Sequence, residues 1–358
     1  MNLRKSRVIL RPQQISLFDT LQNGQQTSAG GGRQRILFTH TYDDIISVEN
    51  LLGAWKEFLR GKRQKQDVQE FQTDLMRNIL SLHNDLVSQT YCHGGYKHFK
   101  IADPKPRDIH KASVRDRLLH HALYRQLYPF FDRTFIYESY SCRIGKGTHR
   151  AMNRFRTFAY QLSKNHTRTA WVLKCDIRKF FASIDHGILF AVLEKYIPDQ
   201  NILWLLSEVV GSFPKGLPLG NLTSQLLVNI YMNEFDQYVK HKLKAKHYIR
   251  YADDFVLLSH DKQELAETLR YIEVFLCERL RLELHPNKVS IKTLASGVDF
   301  LGWVHFHDHR VLRTTSKRRM FRRSVGLEAD DPVIQSYLGL LSHGNAKKLA
   351  RVVLATNT

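Results

Sequence analysis

The spacing of apolar residues changes along the chain, and these changes mark its elements. From Tyr42 to Thr90 the apolar positions recur at helical spacing in two stripes, which predicts two helices joined by a basic segment at 60–65. Residues 96–110 alternate between apolar and polar, so we expect a two-stranded hairpin broken at the prolines of 103–106. Helical spacing returns from Val114 to Phe131. The first part of the chain is therefore predicted to be helical, with one small hairpin.

A second group of elements begins with an apolar strand, Trp171–Cys175, which ends at Asp176. The residues that follow, 177–186, are expected to continue directly into a helix. A glycine-punctuated loop at 215–225 then opens an amphipathic helix that extends to about Lys242. Strands and helices are therefore mixed along this part of the chain.

The segment HYIRYADDFVLLS, residues 247–259, holds two runs of strand-forming residues around an acidic dipeptide. It predicts a β-hairpin with Asp253 and Asp254 at its tip. Adjacent carboxylates repel each other, so a buried pair requires a cation, and hard divalent ions such as Mg²⁺ prefer oxygen ligands. The alternative is a solvated turn, since Asp is common in turns. Asp176 would be a further ligand across the sheet, or else a helix cap.

The last part of the chain is predicted to contain one long helix, Leu265 to Leu280, and a turn into a strand at 282–289. Phe300–Trp303 is expected to sit in another hairpin. The segment 310–323 carries seven Arg and Lys residues, and the last helix is predicted to contain residues 337–345.

Charge points to the class of partner. Among 358 residues, Lys and Arg exceed Asp and Glu by 20, and the pI is near 9.8, which favours a polyanion such as nucleic acid, although a basic ribosomal protein would look similar. Residues 1–35 are basic and then polar, and we expect a flexible tail there rather than a nucleic-acid contact. The four cysteines match no zinc spacing and are expected to be reduced and mostly buried. With no apolar run near the roughly 20 residues of a membrane span, we expect a cytoplasmic protein without membrane contact.

Basic residues cluster where phosphate groups could be held. Lys100 and Arg107 lie on the predicted hairpin and are placed to hold a triphosphate or a strand backbone, with an ordinary solvated hairpin as the alternative. Arg115 opens the next helix. The loop Gly145-Lys146-Gly147 precedes another helix, so its amides and the helix N-terminus are candidates for binding phosphate.

Taken in order, these features resemble a reverse transcriptase over about residues 40–350. The stretches that carry the resemblance are Asp176 with Phe180 and Phe181 for motif A, 219–225 for motif B, 251–254 for motif C, 285–288 for motif D, 300–303 for the primer grip of motif E, and 96–111 for the fingers strands.

The resemblance implies an α+β structure with a right-hand polymerase fold and a helical N-terminal lead-in. Its parts would be a flexible basic arm at 1–35, N-terminal helices and fingers at 36–170, a palm with part of the fingers at 171–305, and a short helical thumb at 306–358.

The resemblance also implies two-metal nucleotidyl transfer, with two Mg²⁺ ions or Mn²⁺ in their place. Lys288 would either protonate the departing pyrophosphate or only contact phosphate. The implied metal ligands are Asp176, Ile177, Asp253 and Asp254, and the implied catalytic residues are the three aspartates with Lys288. The implied dNTP site consists of Arg107, Lys100, Phe181, Leu219, Gly220 and Gln225. The residues implied to contact nucleic acid are Arg115, Lys146, Trp303, Lys317, Arg318 and Arg319. Phe181 falls five residues after Asp176, where the family carries the bulky residue that excludes a ribose 2′-OH.

Motif B indicates the kind of reverse transcriptase. Most relatives resemble Gln-Gly-x-x-x-Ser-Pro, whereas this chain has Leu219 and Gln225 at the ends of that pattern. This form, with segments 139–149 and 342–345, is similar to the enzymes of diversity-generating retroelements. It implies error-prone copying of a template-repeat RNA from a DNA or RNA primer with dNTPs, aided by a small basic accessory protein. The alternatives are a defence-associated bacterial reverse transcriptase and a non-catalytic RNA-binding protein of the same fold.

Overall fold

The computed structural model of the protein describes residues 36–102 and 106–355. The predicted arm at 1–35 and most of the predicted turn at 103–106 lie outside the described residues. From Phe38 onward the chain belongs to one structural unit. Within the described ranges, no helix has both the length and the apolar character that a bilayer crossing needs.

Helices and strands alternate along the described chain. The helices are α1 Tyr42–Ile46, α2 Val48–Phe58, α3 Gln66–Thr73, α4 Leu75–Val87, α5 Val114–Asp132, α6 Thr148–Leu162, α7 His186–Leu193, α8 Gln200–Gly211, α9 Leu222–Gln237, α10 Lys262–Leu280, α11 Thr314–Ser324, α12 Pro332–Leu341 and α13 Lys347–Ala355. The strands are β1 Tyr96–Ile101, β2 Arg107–Ala112, β3 Trp171–Asp176, β4 Tyr248–Tyr251, β5 Asp254–Ser259, β6 Ser290–Thr293, β7 Val298–Phe300, β8 Trp303–His305 and β9 Arg310–Leu312.

The predicted pair of N-terminal helices is divided into shorter helices by polar caps. The Ser47 hydroxyl accepts a hydrogen bond from the Asn50 amide at 3.2 Å, which ends α1 and begins α2. The basic segment 60–65 is a turn between α2 and α3, as expected for a hinge. The hairpin β1–β2 and helix α5 follow where the sequence predicts them, and these predictions are confirmed.

A central antiparallel sheet has the strand order β4-β5-β3-β6 within the described residues. Its strands are apolar on both faces because helices cover both. Leu173 and Phe255 join a core shared with α9 and α10, whereas Val172 and Val256 face a second core built from α6. Successive side chains of a strand point to opposite faces, so a continuous apolar run is what a sheet buried on both sides requires.

The stretch between β3 and α7 differs from the prediction of a direct run into a helix. Lys179 has a left-handed backbone with φ of 46°, which turns the chain away from the strand. A single 3₁₀ turn, Phe180–Ser183, follows, and α7 begins only after Asp185, whose carboxylate accepts from the Ile188 amide at 3.0 Å. The expected continuous helix is therefore wrong, because a cap and a reversal intervene.

The C-terminal region packs three helices against a small sheet of order β7-β8-β9. The basic segment 310–323 forms β9 and most of α11. The last helix was predicted to contain residues 337–345, but α12 ends at Leu341 and Ser342–Asn345 form a turn before α13. The prediction of one last helix is wrong in its extent, since Gly344 fits a turn better than a helix interior.

Arg250, on β4, is fully buried in the core. Its Nε donates to Asp236 Oδ1 at 2.8 Å and its Nη2 donates to Asp236 Oδ2 at 2.7 Å, and both side chains are 0% exposed. The Tyr248 hydroxyl donates to the same carboxylate at 2.7 Å. Buried charges are costly unless they are paired and hydrogen-bonded, and this two-pronged pair meets both conditions.

The same guanidinium connects separate parts of the chain. Nη2 donates to Ser139 Oγ at 3.1 Å in the segment after α5, and Nη1 donates to Asn229 Oδ1 at 3.2 Å on α9. Nη1 also donates to the carbonyl of Ala252 at 3.2 Å. Ala252 has a φ of 55°, in a region that non-glycine residues rarely adopt. The hydrogen bond from Arg250 therefore stabilises the strained residue of the β4–β5 turn.

Arg250→Met should destabilise the protein strongly, because it leaves the Asp236 carboxylate buried without its ion-pair partner. We expect a loss of about 3–5 kcal/mol in the free energy of unfolding, measured by urea denaturation. Arg281→Met is the matched control: Arg281 pairs with Asp185, but its side chain is 70% exposed, so a loss below about 1 kcal/mol is expected. Equal losses for the two variants would contradict the anchoring role of Arg250.

Candidate active site

Three aspartates meet at one end of the central sheet. Asp176 and Asp254 are directly opposed in the antiparallel register of β3 and β5, and Asp253 precedes β5 in the turn. The Ile177 amide donates to the carbonyl of Asp253 at 3.1 Å, which fastens the two strand ends together. Opposed residues of such a ladder have Cβ atoms about 4.5–5.5 Å apart. The sheet therefore holds the carboxylates as near neighbours.

Burial raises the pKa of Asp253 from 3.8 to about 6, with the negative charges of Asp254 and Asp176 acting in the same direction. Two lysines partly balance this charge. Lys288 Nζ donates to Asp176 Oδ1 at 2.7 Å, and Lys174 Nζ lies 3.8 Å from Asp254 Oδ1. The site is thus a crowded acidic cluster whose charge is shared with two ammonium groups.

The donor set suits a hard divalent cation, because carboxylate oxygens are the ligands that Mg²⁺ and Mn²⁺ prefer. Within residues 36–102 and 106–355, however, no group of three or more His, Cys, Asp and Glu side chains is arranged to surround one ion. The contacts explain this, since Asp176 faces Lys288 and Asp254 faces Lys174. A cation held by Asp176, Asp253 and Asp254 would relieve the mutual repulsion that raises the pKa of Asp253.

The loop before α9 fixes the position of Phe181. The Leu217 amide donates to the carbonyl of Phe181 at 2.8 Å. Gly216 has a φ of 69°, and a Cβ there would come within 2.4 Å of the same carbonyl oxygen, so only glycine allows this approach. His186 Nε2 donates to the Gly216 carbonyl at 2.6 Å. The half-buried Phe181 ring also packs edge-on against Phe180. These contacts fix the backbone at Phe181 and place its ring against Phe180.

Motif B is joined to the basic hairpin. The His110 amide on β2 donates to the carbonyl of the half-buried Leu219 at 3.0 Å. Gly220 has a φ of 113°, and a Cβ there would lie 3.0 Å from Ile109 Cγ2. The loop therefore reaches the hairpin through its backbone, and the absence of a side chain at Gly220 permits the close approach.

The remaining residues predicted for the dNTP site lie on the same elements. Gln225 is half-buried in the first turns of α9. Arg107 and Lys100 are exposed on the two strands of the hairpin, opposite Ile101 and Asp108. Their contact with a triphosphate stays a prediction.

Trp303 was predicted to contact nucleic acid, but its side chain is 1% exposed. The ring lies against the turn at Gly344, where a Cβ would come within 2.0 Å of it, and it packs with Leu312 and Met320. The prediction of a nucleic-acid contact by the Trp303 side chain is therefore wrong. This ring instead fixes the C-terminal helices on β8.

The loop at Lys146 was predicted to offer its amides to phosphate. The Lys146 amide donates to the Arg143 carbonyl at 3.2 Å, and the Gly147 amide donates to the Tyr140 carbonyl at 3.0 Å. Lys146 Nζ donates to the Tyr137 carbonyl at 2.9 Å and lies 3.3 Å from the centre of its ring. The loop thus uses the amides of Lys146 and Gly147 internally, whereas phosphate binding at the N-terminus of α6 stays a prediction.

The other predicted nucleic-acid contacts differ in their surroundings. Arg115 donates to Asp85 and lies over the Tyr91 ring at 5.1 Å, so it serves the packing of α4 on α5. Lys317 and Arg318 are exposed on α11, and Arg319 is half-buried on the same helix. The α11 residues stay candidates for nucleic-acid binding.

Sequence reasoning missed Lys174 and the Arg250–Asp236 pair. The signal was present, because each basic residue interrupts an apolar strand, and a charged residue in such a run is rarely buried without a partner. The cysteine prediction was half right. All four cysteines lie within the described residues and are free thiols, but only Cys175 is buried.

A doubly covered sheet whose strand ends bring three carboxylates together, beside a glycine-bearing loop and a basic hairpin, has the organisation of a polymerase palm. The chain belongs to the reverse transcriptase family: the family model "Reverse transcriptase (RNA-dependent DNA polymerase)" matches residues 101–305. The predicted α+β fold with N-terminal helices is confirmed. The bounds of fingers, palm and thumb stay predictions.

Known relatives include intron-encoded proteins. The chain is 28% identical to Protein YkfC of Escherichia coli over 60% of this chain and 65% of YkfC. It is 21% identical to the group II intron-encoded protein LtrA of Lactococcus lactis over 60% of this chain and 46% of LtrA. A solved telomerase from Candida albicans aligns with a TM-score of 0.48 and 12% identity, over 75% of this chain and 56% of that one. The matches thus span about half to two thirds of the length of these proteins.

Asp254→Asn should lower the pKa of Asp253, because it removes a neighbouring negative charge that raises this pKa. The measurement is a pH titration of the ¹³C-labelled aspartate carboxyl groups by NMR in the metal-free protein. The wild type should titrate near pH 6 at Asp253 and the variant at lower pH. Asp308→Asn, on an exposed turn, is the control and should leave the pKa of Asp253 unchanged.

The raised pKa of Asp253 also makes the free energy of unfolding depend on pH. A folded-state pKa above the ordinary 3.8 means that the folded, metal-free protein binds more protons between about pH 4 and pH 6 than the unfolded chain does. The contribution of Asp253 to the free energy of unfolding therefore falls as the pH rises through this window. An Asp253 carboxyl that titrates near pH 4 in the wild type would contradict the crowded arrangement.

Proposed function

We propose that the protein is an RNA-directed DNA polymerase that makes cDNA by two-metal nucleotidyl transfer. The observation that carries the proposal is the register of β3 and β5, which sets Asp176 opposite Asp254 with Asp253 beside them. These residues, with the backbone of Ile177, would hold two Mg²⁺ ions. When bound, such ions activate the attacking 3′-oxygen and stabilise the leaving pyrophosphate.

Lys288 is the candidate proton donor or phosphate contact beside the acidic cluster. Its ammonium group lies at the cluster already, 2.7 Å from Asp176 Oδ1, and its side chain is 39% exposed. With Asp176 engaged as a metal ligand, the Lys288 ammonium group would be free to contact the phosphate groups of the substrate. There Lys288 would donate a hydrogen bond to the departing pyrophosphate or donate its proton to it.

Phe181 would select deoxyribonucleotides. The carbonyl of this residue accepts a hydrogen bond from the Leu217 amide, which fixes the backbone that carries the ring, and the ring packs against Phe180. A fixed aromatic ring beside the sugar would clash with a 2′-OH and not with a 2′-hydrogen. On the phosphate side, Arg107 and Lys100 would neutralise the incoming triphosphate.

The net charge of +20 supports RNA as the template and a nucleic-acid strand as the primer. The exposed basic residues of α11, including Lys317 and Arg318, would add sequence-independent contacts to phosphate. Affinity for RNA would then come mainly from surfaces away from the carboxylates, so binding and catalysis are separable by mutation.

Asp253→Asn should abolish dNTP incorporation on a primed RNA template in Mg²⁺, because it removes one of the three carboxylates at the sheet end. RNA affinity should remain nearly unchanged, since it depends on the basic surface. Primer extension and filter binding measure the two properties. Asp330→Asn, at an exposed position before α12, is the control and should retain both. Substantial extension by Asp253→Asn would contradict the assigned active site.

We further propose that the enzyme copies a template-repeat RNA with errors at adenines, as in a diversity-generating retroelement. Leu219 supports this, because it sits in a loop that is bonded to the hairpin and offers an apolar side chain where most relatives carry a glutamine. An apolar contact discriminates by only about 1–3 kcal/mol, whereas a hydrogen-bonding site rejects wrong partners more strongly. The segments 139–149 and 342–345, which are similar to those of diversity-generating retroelement enzymes, are also in contact, since the rings of His149 and His343 stack at 3.5 Å.

Leu219→Gln should reduce substitutions opposite template adenine more than it reduces total cDNA synthesis. The restored amide would lose a hydrogen bond when the nascent pair is misplaced. Deep sequencing of cDNA made from one RNA template measures both quantities, with a small basic accessory protein supplied. Leu219→Met is the matched control, because it is unbranched like glutamine but apolar, and it should keep the error rate. Accurate copying of adenines by the wild type would favour a defence-associated reverse transcriptase instead.

A further inference from the structure

A cavity of about 300 Å³ lies between the second half of α6, the turn that joins β8 to β9, and the turn that joins α12 to α13. Its volume is at the lower end of the roughly 300–1,000 Å³ of small-molecule sites. The described residues that line it include none of the three carboxylates at the sheet end, and none of the residues considered above for contact with dNTP or nucleic acid. The cavity is therefore distinct from the candidate active site.

Basic and imidazole side chains dominate the lining of this cavity. Two arginines and four histidines contribute to it: Arg156, Arg310, His305, His307, His309 and His343. Among the described lining residues the one carboxylate is Asp308, which is exposed and accepts a hydrogen bond from His309 Nδ1 at 2.7 Å. The positive charge of the two arginines is therefore left unbalanced at the cavity.

Arg310 is half-buried, and its hydrogen bonds go only to neutral groups. Its Nε donates to the carbonyl of His343, and its Nη2 donates to Asn153 Oδ1 at 3.2 Å. Its Nη1 is shielded from solvent and has no hydrogen-bond partner among the described residues. Arg143, by contrast, pairs with the carboxylate of Asp132 at 2.7 Å. A cation withdrawn from water is costly without an anion beside it, so the wall at Arg310 favours an anionic ligand.

The two arginines raise the electrostatic potential of the cavity together. Arg156 is exposed on α6, and no ion pair joins it to a carboxylate in the part of the chain that the structure describes. Burial and the charge of Arg156 lower the pKa of Arg310. Burial and the charge of Arg310 in turn lower the pKa of His305 to about 4, so this ring is neutral. An anion between the two guanidinium groups would relieve their repulsion.

The walls of the cavity are fixed to one another. The Asn345 amide donates to the carbonyl of Arg310 at 3.0 Å, and the Arg310 guanidinium lies 5.9 Å from the centre of the Trp303 ring. The rings of His149 and His343 stack at 3.5 Å, which holds the turn after α12 against the beginning of α6. A site whose walls are already in place loses little conformational freedom when a ligand binds.

We infer that this cavity binds a phosphate group outside the catalytic centre. The exposed guanidinium of Arg156 would donate to the phosphate oxygens directly, because its planar fork matches their geometry. The half-buried rings of His307 and His343 would add N–H donors from the two turns. Arg310 would contribute its charge from the wall.

A phosphate group suits this lining because it carries several acceptor oxygens around one atom, and the donors approach from three separate elements. The group belongs either to a free compound such as pyrophosphate or to the backbone of a bound nucleic-acid strand. The strand source rests on the proposed function, whereas the free source does not.

Equilibrium binding of pyrophosphate to the full chain in EDTA, measured by calorimetry, tests the free source. Arg156→Gln should weaken binding by about tenfold, because a charge-assisted hydrogen bond is lost, and Arg156→Lys, which keeps the charge, should weaken it less. Arg150→Gln removes the same charge from an exposed position of α6 outside the cavity and should not weaken it. Arg107→Gln, at the proposed triphosphate site, should not weaken it either, so this inference and the proposed function fail separately.

Filter binding of a primed RNA template over a range of salt concentrations tests the strand source. Arg156→Gln should lower the RNA affinity and reduce the salt slope by about 1, whereas Arg150→Gln should change neither. Both positions are exposed, so both variants should melt at the temperature of the wild type. A loss of pyrophosphate binding or of RNA affinity that is confined to the Arg156 variants supports the inference and identifies the source. Equal behaviour of Arg156→Gln and Arg150→Gln in both measurements overturns it.

Discussion

The buried pair of Arg250 and Asp236 is the contact on which the acidic end of the sheet depends. Ion pairs removed from water are stable only when their hydrogen-bonding groups are satisfied, and here the guanidinium reaches Ser139, Asn229 and the carbonyl of Ala252 besides its carboxylate. Because Ala252 is left-handed, the turn carries strain that a hydrophobic core alone would relax. The charge in the core therefore fixes a backbone conformation at the surface.

That conformation sets three carboxylates close together, which opposes stability in the metal-free protein. The raised pKa of Asp253 reflects the repulsion between these carboxylates, and the positive charges of Lys174 and Lys288 reduce that repulsion. A site that is strained without a cation is suited to bind one, because binding relieves the repulsion that folding created. Under the proposed two-metal chemistry, the fold would supply the rigidity of the site and the repulsion between carboxylates would favour binding of a cation.

Local patterns predicted the fold well where one element decides its own structure. The hairpin at 247–259, the strand ending at Asp176 and helix α5 follow from spacing and turn residues alone. Predictions failed where particular contacts decide the structure, some of them distant and some local. Trp303 is buried by the turn at Gly344, and the amides near Lys146 are used by carbonyls within their own loop. The residues after Asp176 do not continue as a helix, because Lys179 reverses the chain. No sequence periodicity encodes such contacts.

The loop that opens α9 is joined to the basic hairpin through its backbone. The His110 amide donates to the Leu219 carbonyl, and the missing side chain at Gly220 permits the close approach to Ile109. Because backbone atoms make this junction, it does not depend on which side chain stands at position 219.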